Sequence, residues 1–135
     1  MQIAQFPFTK ISKSYLGQII RPYAEVLIFA KKRKIWLVTN MVIDSGADYT
    51  LLPKKYALAL GIDLAKDCRA ETTLGVGGSE TVYLYKSLLV KINNWQNKIP
   101  VGFLERDDVP ALLGRLEFIE VLRVIFENHR TIFEK

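Results

Sequence analysis

The segment VIDSGADYTLLP, Val42–Pro53, places two aspartates, a serine and a glycine directly behind a run of large apolar residues. A carboxylate that activates water must be held in one orientation and approached closely by backbone. Ile43 favours a strand here, Ser45 offers a hydroxyl to neighbouring backbone, and Gly46 permits close packing because it has no Cβ. Asp44 is therefore a candidate catalytic group, although Asp-Ser-Gly is also a common turn sequence.

The elements around this segment are predicted to be short strands with few helices. Tyr23–Ala30 and Ile35–Ile43 are rich in β-branched and aromatic residues and flank the basic run KKRK, which predicts a hairpin leading into Asp44. A short helix is predicted in KKYALALGI, ending at Gly61 as its C-cap. The pattern as a whole predicts a mainly β protein, closed or sandwich-like in architecture.

The second half of the chain continues this pattern. RAETTLGVGGSETVYLYKSLLVKI reads as a long hairpin around a glycine cluster, and KIPVGFLE and ALLG read as strands. LEFIEVL predicts a helical turn or two, and RVIFENHRTIFEK predicts a closing hairpin. The glycine cluster does not predict a dinucleotide loop, because Glu80 stands where the last glycine of that motif would fall.

Length and composition predict one domain over residues 1–135, because 135 residues of about half apolar composition can bury a single sizeable core. Residues 1–20 match no motif, and we interpret them as a strand, a lid or an arm exchanged between subunits. A single cysteine, no signal-peptide pattern and no long apolar run lead us to expect a soluble cytoplasmic protein without a membrane partner.

Other classes of function have weak support in the sequence. The net charge of +5 is densest in KKRK, which has no interleaved aromatic residues, so a nucleic-acid-binding β domain would rest on charge alone. His129 is the only histidine, which argues against a zinc site, and Cys68 lies in a polar segment that lacks the context of a nucleophile. We therefore expect no metal, no cofactor and no nucleic-acid partner.

Three motifs in a fixed order carry a resemblance to a known family. VIDSGADYTLLP, the LGVGGSE hairpin and ALLGR, Ala111–Arg115, followed by a helical turn resemble a retropepsin, the single-domain aspartic peptidase of retroviruses and of cellular retropepsin-like proteins. The resemblance covers most of the chain. It implies a closed, barrel-like acid-protease fold with a flap hairpin and one or two short helices, active as a homodimer on peptide or protein substrates.

The resemblance also implies roles for residues of the first motif. Asp44 matches the catalytic aspartate, Ser45 the hydroxyl residue that bonds across the dimer interface, and Gly46 the glycine whose carbonyl contacts substrate. Ala47 matches as well. It has no hydroxyl that could donate to the catalytic carboxylate and favour its ionised form, so we expect a mildly acidic rather than a strongly acidic pH optimum.

The remaining site residues are placed in the same way. Asp48 is implied to bind substrate main chain and to pair with Arg115, whose fork can hold a carboxylate with two nitrogens. In the flap, Gly75, Gly77 and Gly78 would let the backbone open and reclose while Val76 covers the substrate. Apolar walls that favour apolar side chains beside the cut are expected from Tyr49, Leu52, Val76, Leu112 and Leu113.

The reaction needs two carboxyl groups that share one proton, but the sequence contains one DSG triplet. Asp107 and Asp108 lie in a polar segment, ERDDVP, which predicts a solvated loop. A symmetric homodimer with Asp44 from each chain is the economical solution, and we expect residues 123–135 to carry much of its interface. The alternative is a retropepsin-like binding or dimerisation module without activity, although such a module has no chemical need for the intact triplet.

Overall fold

The computed structural model, which describes residues 1–75 and 77–135, is built mainly from β-strands. The strands are β1 (Gln2–Pro7), β2 (Thr9–Ser14), β3 (Gly17–Arg21), β4 (Tyr23–Ala30), β5 (Ile35–Ile43), β6 (Thr50–Leu52), β7 (Arg69–Gly75), β8 (Gly78–Ile92), β9 (Trp95–Leu104), β10 (Ala111–Leu113), β11 (Arg123–Glu127) and β12 (Arg130–Glu134). The helices are α1 (Lys54–Leu60), α2 (Leu64–Asp67) and one turn of 3-10 helix (Ile119–Val121). The expectation of a mainly β protein is therefore confirmed.

Strands β4 and β5 form the predicted antiparallel hairpin, with Tyr23 opposite Val42 and Ala30 opposite Ile35. Alternate residues of β4 are buried, as expected for a strand with one face on the core. The basic run KKRK forms the exposed turn between them. This hairpin fixes the end of β5, after which Asp44 follows at once.

The largest sheet has the strand order β4-β5-β10-β6-β9-β8-β7. The short strand β10 runs parallel to β5 on one side and antiparallel to β6 on the other. β4 also pairs with β8, through Leu27 with Lys91 and Ile28 with Val90, so β4 has hydrogen-bonded neighbours on both sides. The ends of β5 and β10 thus meet inside the sheet.

A second sheet is formed by both ends of the chain, in the order β1-β12-β11. The N-terminal ammonium of Met1 donates to the carbonyl oxygen of Lys135 at 3.1 Å, and the amide of Lys135 donates back to Met1 at 3.0 Å. Phe118 and Phe133 are fully buried, and their rings are 6.1 Å apart, which connects this sheet to the main core. β11 and β12 form the predicted closing hairpin.

Residues 9–21, which matched no motif, form a separate hairpin. β2 and β3 pair antiparallel from Thr9 with Arg21 to Ser14 with Gly17. In the part of the chain that the structure describes, neither strand hydrogen-bonds to another sheet. We refer to residues 9–21 as the N-terminal hairpin.

The helices agree in part with the prediction. α1 ends at Gly61, whose left-handed conformation (φ 73°) and amide bonds to α1 carbonyls close the helix as expected. α2 was not predicted, and it begins where the Asp63 side chain accepts bonds from the amides of Ala65 and Lys66. No helix among the described residues combines the length and the apolar character needed to cross a membrane.

Candidate active site

Asp44 lies at the first position after β5, half-buried at the junction of two strands. Its amide donates to the carbonyl oxygen of Leu113 at 3.0 Å, which continues the parallel pairing of Ile43 with Leu113. Its Oδ1 accepts a bond from the amide of Gly46 at 2.9 Å. The backbone of residues 44–48, which we call the aspartate loop, therefore fixes the orientation of this carboxylate.

Residues 113–116, which we call the Gly114 loop, run alongside the aspartate loop and are bonded to it through backbone. The amide of Arg115 donates to the carbonyl oxygen of Ala47 at 3.0 Å, and the amide of Leu116 donates to that of Asp48 at 2.8 Å. Together with the bond at Asp44, these contacts tie both loops at several points. The loops therefore form one rigid unit around the carboxylate.

Arg115 strengthens this unit with its side chain. One terminal nitrogen donates to the carbonyl oxygen of Ser45 at 2.7 Å, and the other donates to Oδ1 of Asp48 at 2.6 Å. The predicted pairing of Asp48 with Arg115 is thus present. The expectation that two guanidinium nitrogens bond the same carboxylate is wrong. One terminal nitrogen bonds the Asp48 carboxylate, and the other bonds the backbone carbonyl of Ser45. Asp48 keeps a 74% exposed side chain.

Gly114 is required by the close approach of the two loops, which the sequence reasoning did not anticipate. A Cβ at this position would lie 2.3 Å from the carbonyl carbon and oxygen of Tyr49, far inside van der Waals contact. The amide of Gly114 donates to the buried hydroxyl of Thr50 at 3.1 Å. The glycine of ALLGR therefore serves packing between backbones.

A cavity of about 430 Å³ adjoins the aspartate loop. Most of its wall is apolar, with carboxylates and hydroxyls at intervals. It is lined by Ala47, Asp48, Tyr49, Leu51, Thr73, Glu80, Val82, Leu104, Val109, Pro110 and Leu112. Its size and composition suit an apolar group of a ligand.

Of the predicted apolar walls, Tyr49 and Leu112 line this cavity. The prediction is wrong for Leu52 and Leu113, which are fully buried in the core. The reason is strand alternation, since the outer residues of the short strands β6 and β10 point inward and the central one points outward. Leu51 consequently takes the place that was expected for Leu52.

The hairpin of β7 and β8 stands over the cavity. Thr73 and Glu80 pair across the two strands and both line the cavity wall. At the tip, Gly75 pairs with Gly78, whose φ of 112° favours glycine, and the side chain of Leu74 is exposed. Val76, predicted to cover the substrate, lies outside the described residues. Gly77 lies in the turn, with open space around it.

The loop that carries Val109 and Pro110 to the cavity is held by polar contacts. Arg106 donates to both carboxylate oxygens of Asp108, and this hydrogen bonding lowers the pKa of the Asp108 carboxyl. Asp107 accepts a bond from the amide of Lys55 at 2.7 Å, which ties the loop to α1. These contacts agree with the predicted solvated loop, and they also give it a fixed shape.

Two tyrosines, Tyr49 in the cavity wall and Tyr83 next to Val82, have raised pKa values. Burial, followed by the charges of Glu71 and Asp48, raises the pKa of Tyr49. The hydrogen bond from the Tyr83 hydroxyl to Glu105 raises the pKa of Tyr83. Among residues 1–75 and 77–135, no group of three or more His, Cys, Asp or Glu is arranged to hold a metal ion.

Comparison with known proteins identifies a family and a similar solved structure. A family model described as gag-polyprotein putative aspartyl protease matches residues 38–119, which include both loops of the site and the β7–β8 hairpin. The chain is also similar to the crystal structure of a retropepsin-like aspartic protease from Rickettsia conorii, with a TM-score of 0.67 and 19% sequence identity over 96% of this chain and 89% of that one. No protein of curated function has a sequence that matches significantly.

Proposed function

This chain belongs to the retropepsin-like aspartic peptidases, in the gag-polyprotein aspartyl protease family, and we propose that it is an aspartic endopeptidase active as a homodimer. The observation that carries the proposal is the orientation of Asp44, whose Oδ1 is held by the Gly46 amide while its own amide is bonded to Leu113. A general base needs such a fixed geometry. The bond to Gly46 alone is that of an ordinary Asx turn, so the distinguishing contact is the bond from the Asp44 amide to Leu113 in the second loop.

In the proposed reaction, Asp44 of each chain meets its symmetry mate. Two carboxyl groups in contact cannot both ionise, so they share one proton and act as a base and an acid. The ionised carboxylate takes a proton from a water molecule while the oxygen of that water attacks the scissile carbonyl carbon. The protonated carboxyl group donates its proton to the carbonyl oxygen. Collapse of the tetrahedral intermediate breaks the C–N bond, and the amine leaves with a proton.

An extended peptide is the proposed substrate. The β7–β8 hairpin would close over it as a flap, and main-chain bonds to both the hairpin and the aspartate loop would hold it like an added strand. The cavity beside Ala47 would take an apolar side chain near the cut, because Leu51, Val82 and Leu112 form its wall. This proposal follows the family and the shape of the cavity.

The architecture supports a closed barrel and a two-fold dimer as finer proposals. Pairing of β4 with both β5 and β8 supports the barrel. β11 pairs with β12 on one side and leaves its other edge without a strand partner among the described residues, so β11, within residues 123–135, is available to a second copy. A cytoplasmic location is a separate proposal, which cell fractionation tests.

The test is cleavage of an unstructured polypeptide by the wild type and by Asp44→Asn between about pH 4 and 7, the range in which a shared-proton dyad can work. We expect cleavage by the wild type only, and a specific activity that falls on dilution below the dimer dissociation constant. The variant should keep the far-UV circular dichroism of the wild type. A wild type that binds peptide but leaves it intact would favour the silent binding module instead.

A further inference from the structure

We propose that the N-terminal hairpin is an arm that packs on residues 116–121 of a second copy of this chain. The proposal rests on the homodimer described above and assigns to it a contact outside the catalytic loops. Each copy would supply one arm and one receiving surface, so a two-fold dimer contains the contact twice.

Among residues 1–75 and 77–135, the hairpin pairs with no other strand of its own chain, and only Ile19 and Ile20 of it are half-buried. Every side chain of β2 is exposed, and the apolar tip residues Tyr15 and Leu16 are 103% and 87% exposed. An isolated two-stranded ribbon is marginally stable in water, because it has too little apolar surface to bury. Contact with another surface would remove this apolar tip from water, which explains why it is exposed within its own chain.

The hairpin is rooted beside the catalytic aspartate. The carbonyl oxygen of Pro22, directly after β3, accepts a bond at 2.9 Å from the amide of Ile43, directly before Asp44. On the other side of the root, the amide of Phe8 donates to the carbonyl oxygen of His129 at 2.8 Å. The root therefore lies at the end of the sheet that carries the catalytic group.

This location points the arm toward the partner. β4 and β5 are antiparallel, so the chain enters β4 at the same end at which β5 reaches Asp44. In the proposed dimer the two Asp44 residues meet at the symmetry axis, and this end of each subunit faces the other. A six-residue strand is about 20 Å long, which is enough to extend across the axis.

The charges of the two surfaces are complementary. Residues 1–22 contain no aspartate or glutamate, and Lys10 and Lys13 are exposed on the arm. The receiving surface has the opposite sign, with Glu117 and Glu120 exposed. Attraction between such surfaces favours association and fixes its orientation.

The receiving surface also has apolar contact area in a suitable place. Leu116 and Val121 are 40% and 45% exposed, which provides a patch for the Tyr15–Leu16 tip. It begins directly after Arg115, whose side chain donates to Ser45 next to the catalytic aspartate. Arm and receiving surface are therefore both anchored near the proposed symmetry axis.

A basic hairpin with a tyrosine and a leucine at its tip could also suit an anionic membrane surface. The root next to Asp44 favours the second copy of the chain, because the end of the sheet that forms the dimer cannot lie flat on a bilayer as well. Membrane binding is therefore an outcome that the experiment distinguishes.

The experiment measures the dimer dissociation constant by sedimentation equilibrium for the wild type and four variants. The first variant reverses charge on the arm, through Lys10→Glu with Lys13→Glu. The second reverses charge on the receiving surface, through Glu117→Lys with Glu120→Lys. The third combines all four changes, and the fourth is Tyr15→Ser with Leu16→Ser. All positions are exposed, so circular dichroism should match the wild type throughout.

We expect each charge reversal, and also the tip variant, to weaken the dimer on the order of tenfold, and the combined variant to recover most of that loss. Recovery would identify the two surfaces as partners. Unchanged dissociation constants in all variants would overturn the arm while leaving the homodimer intact. A wild type that cleaves peptide as a monomer would overturn the homodimer and the arm together.

The last measurement is sedimentation of the protein with vesicles of phosphatidylserine and phosphatidylcholine. If the tip variant loses vesicle binding that the wild type shows, while its dimer dissociation constant stays the same, the hairpin is a membrane element and the proposal is overturned. If the wild type does not sediment with the vesicles and the tip variant dissociates more readily, the intersubunit arm is supported.

Discussion

Substitution of Gly114 by alanine should disrupt the unit that holds the Asp44 carboxylate. The new Cβ would lie 2.3 Å from the carbonyl group of Tyr49, where ordinary contact begins at 3.4 Å, so the two loops must separate by about 1 Å. This shift would break or lengthen three neighbouring hydrogen bonds, which are donated by the amides of Asp44, Gly114 and Arg115. At about 1 kcal/mol each, their loss lowers the free energy of unfolding by about 3 kcal/mol.

Gly77→Ala is the matched control, because nothing lies within 4 Å of a Cβ built at that position. Its free energy of unfolding should stay within about 0.5 kcal/mol of the wild type. Urea unfolding followed by the fluorescence of Trp36 and Trp95 gives both values, at one protein concentration because dimerisation is coupled to unfolding. A Gly114→Ala protein within 1 kcal/mol of the wild type would refute the close-packing argument.

Two further substitution and labelling experiments test other contacts. Arg115→Ala should lower the free energy of unfolding by about 1–2 kcal/mol, since it removes bonds to Ser45 and Asp48 at a partly exposed position. Arg115→Lys should recover less than half of that loss, because one ammonium cannot replace a fork that bonds two separate acceptors. Urea unfolding and kcat/KM measure both variants, and a lysine variant equal to the wild type would contradict the role of the divided fork. Cys68, whose pKa is raised by burial and then by the charges of Asp67 and Asp63, has less thiolate at a given pH than a free cysteine. Its alkylation by iodoacetamide at pH 8, set at about the ordinary thiol pKa, should be slower in the native than in the urea-unfolded chain, and equal rates would show that the fold does not protect it.

Elements with strong local signals were predicted correctly from the sequence. β4, β5 and α1 have the predicted bounds, because β-branched runs, a basic turn and a C-capping glycine act over a few residues. The retropepsin-like family is confirmed as well, since its motifs are short and ordered along the chain.

The N-terminal region could not be predicted because its signals are not local. β1 finds its partner in β12, at the opposite end of the sequence. β2 is exposed along its whole length, so it has no alternation of buried and exposed residues to read. α2 was missed because its four residues are too few to show a helical period.

Residues of the cavity wall were predicted less well than the strand and turn that hold Asp44. A three-residue strand does not reveal which of its faces is buried, and Leu51 was therefore confused with Leu52. The role of Gly114 was also missed, because close approach between two backbones depends on segments more than sixty residues apart. Geometry of this kind is set by tertiary packing rather than by local sequence.

The pairing of both chain ends in one sheet has a consequence for folding during synthesis. β1 is synthesised well before its hydrogen-bonding partner β12, since Pro7 and Arg130 are paired although they lie 123 positions apart in the sequence. Contacts between residues so far apart in sequence form late, because the intervening chain must first be ordered. The N-terminal hairpin, whose root is bonded to His129, acquires this anchor equally late, so the loops around Asp44 can fold before the proposed association with a second copy.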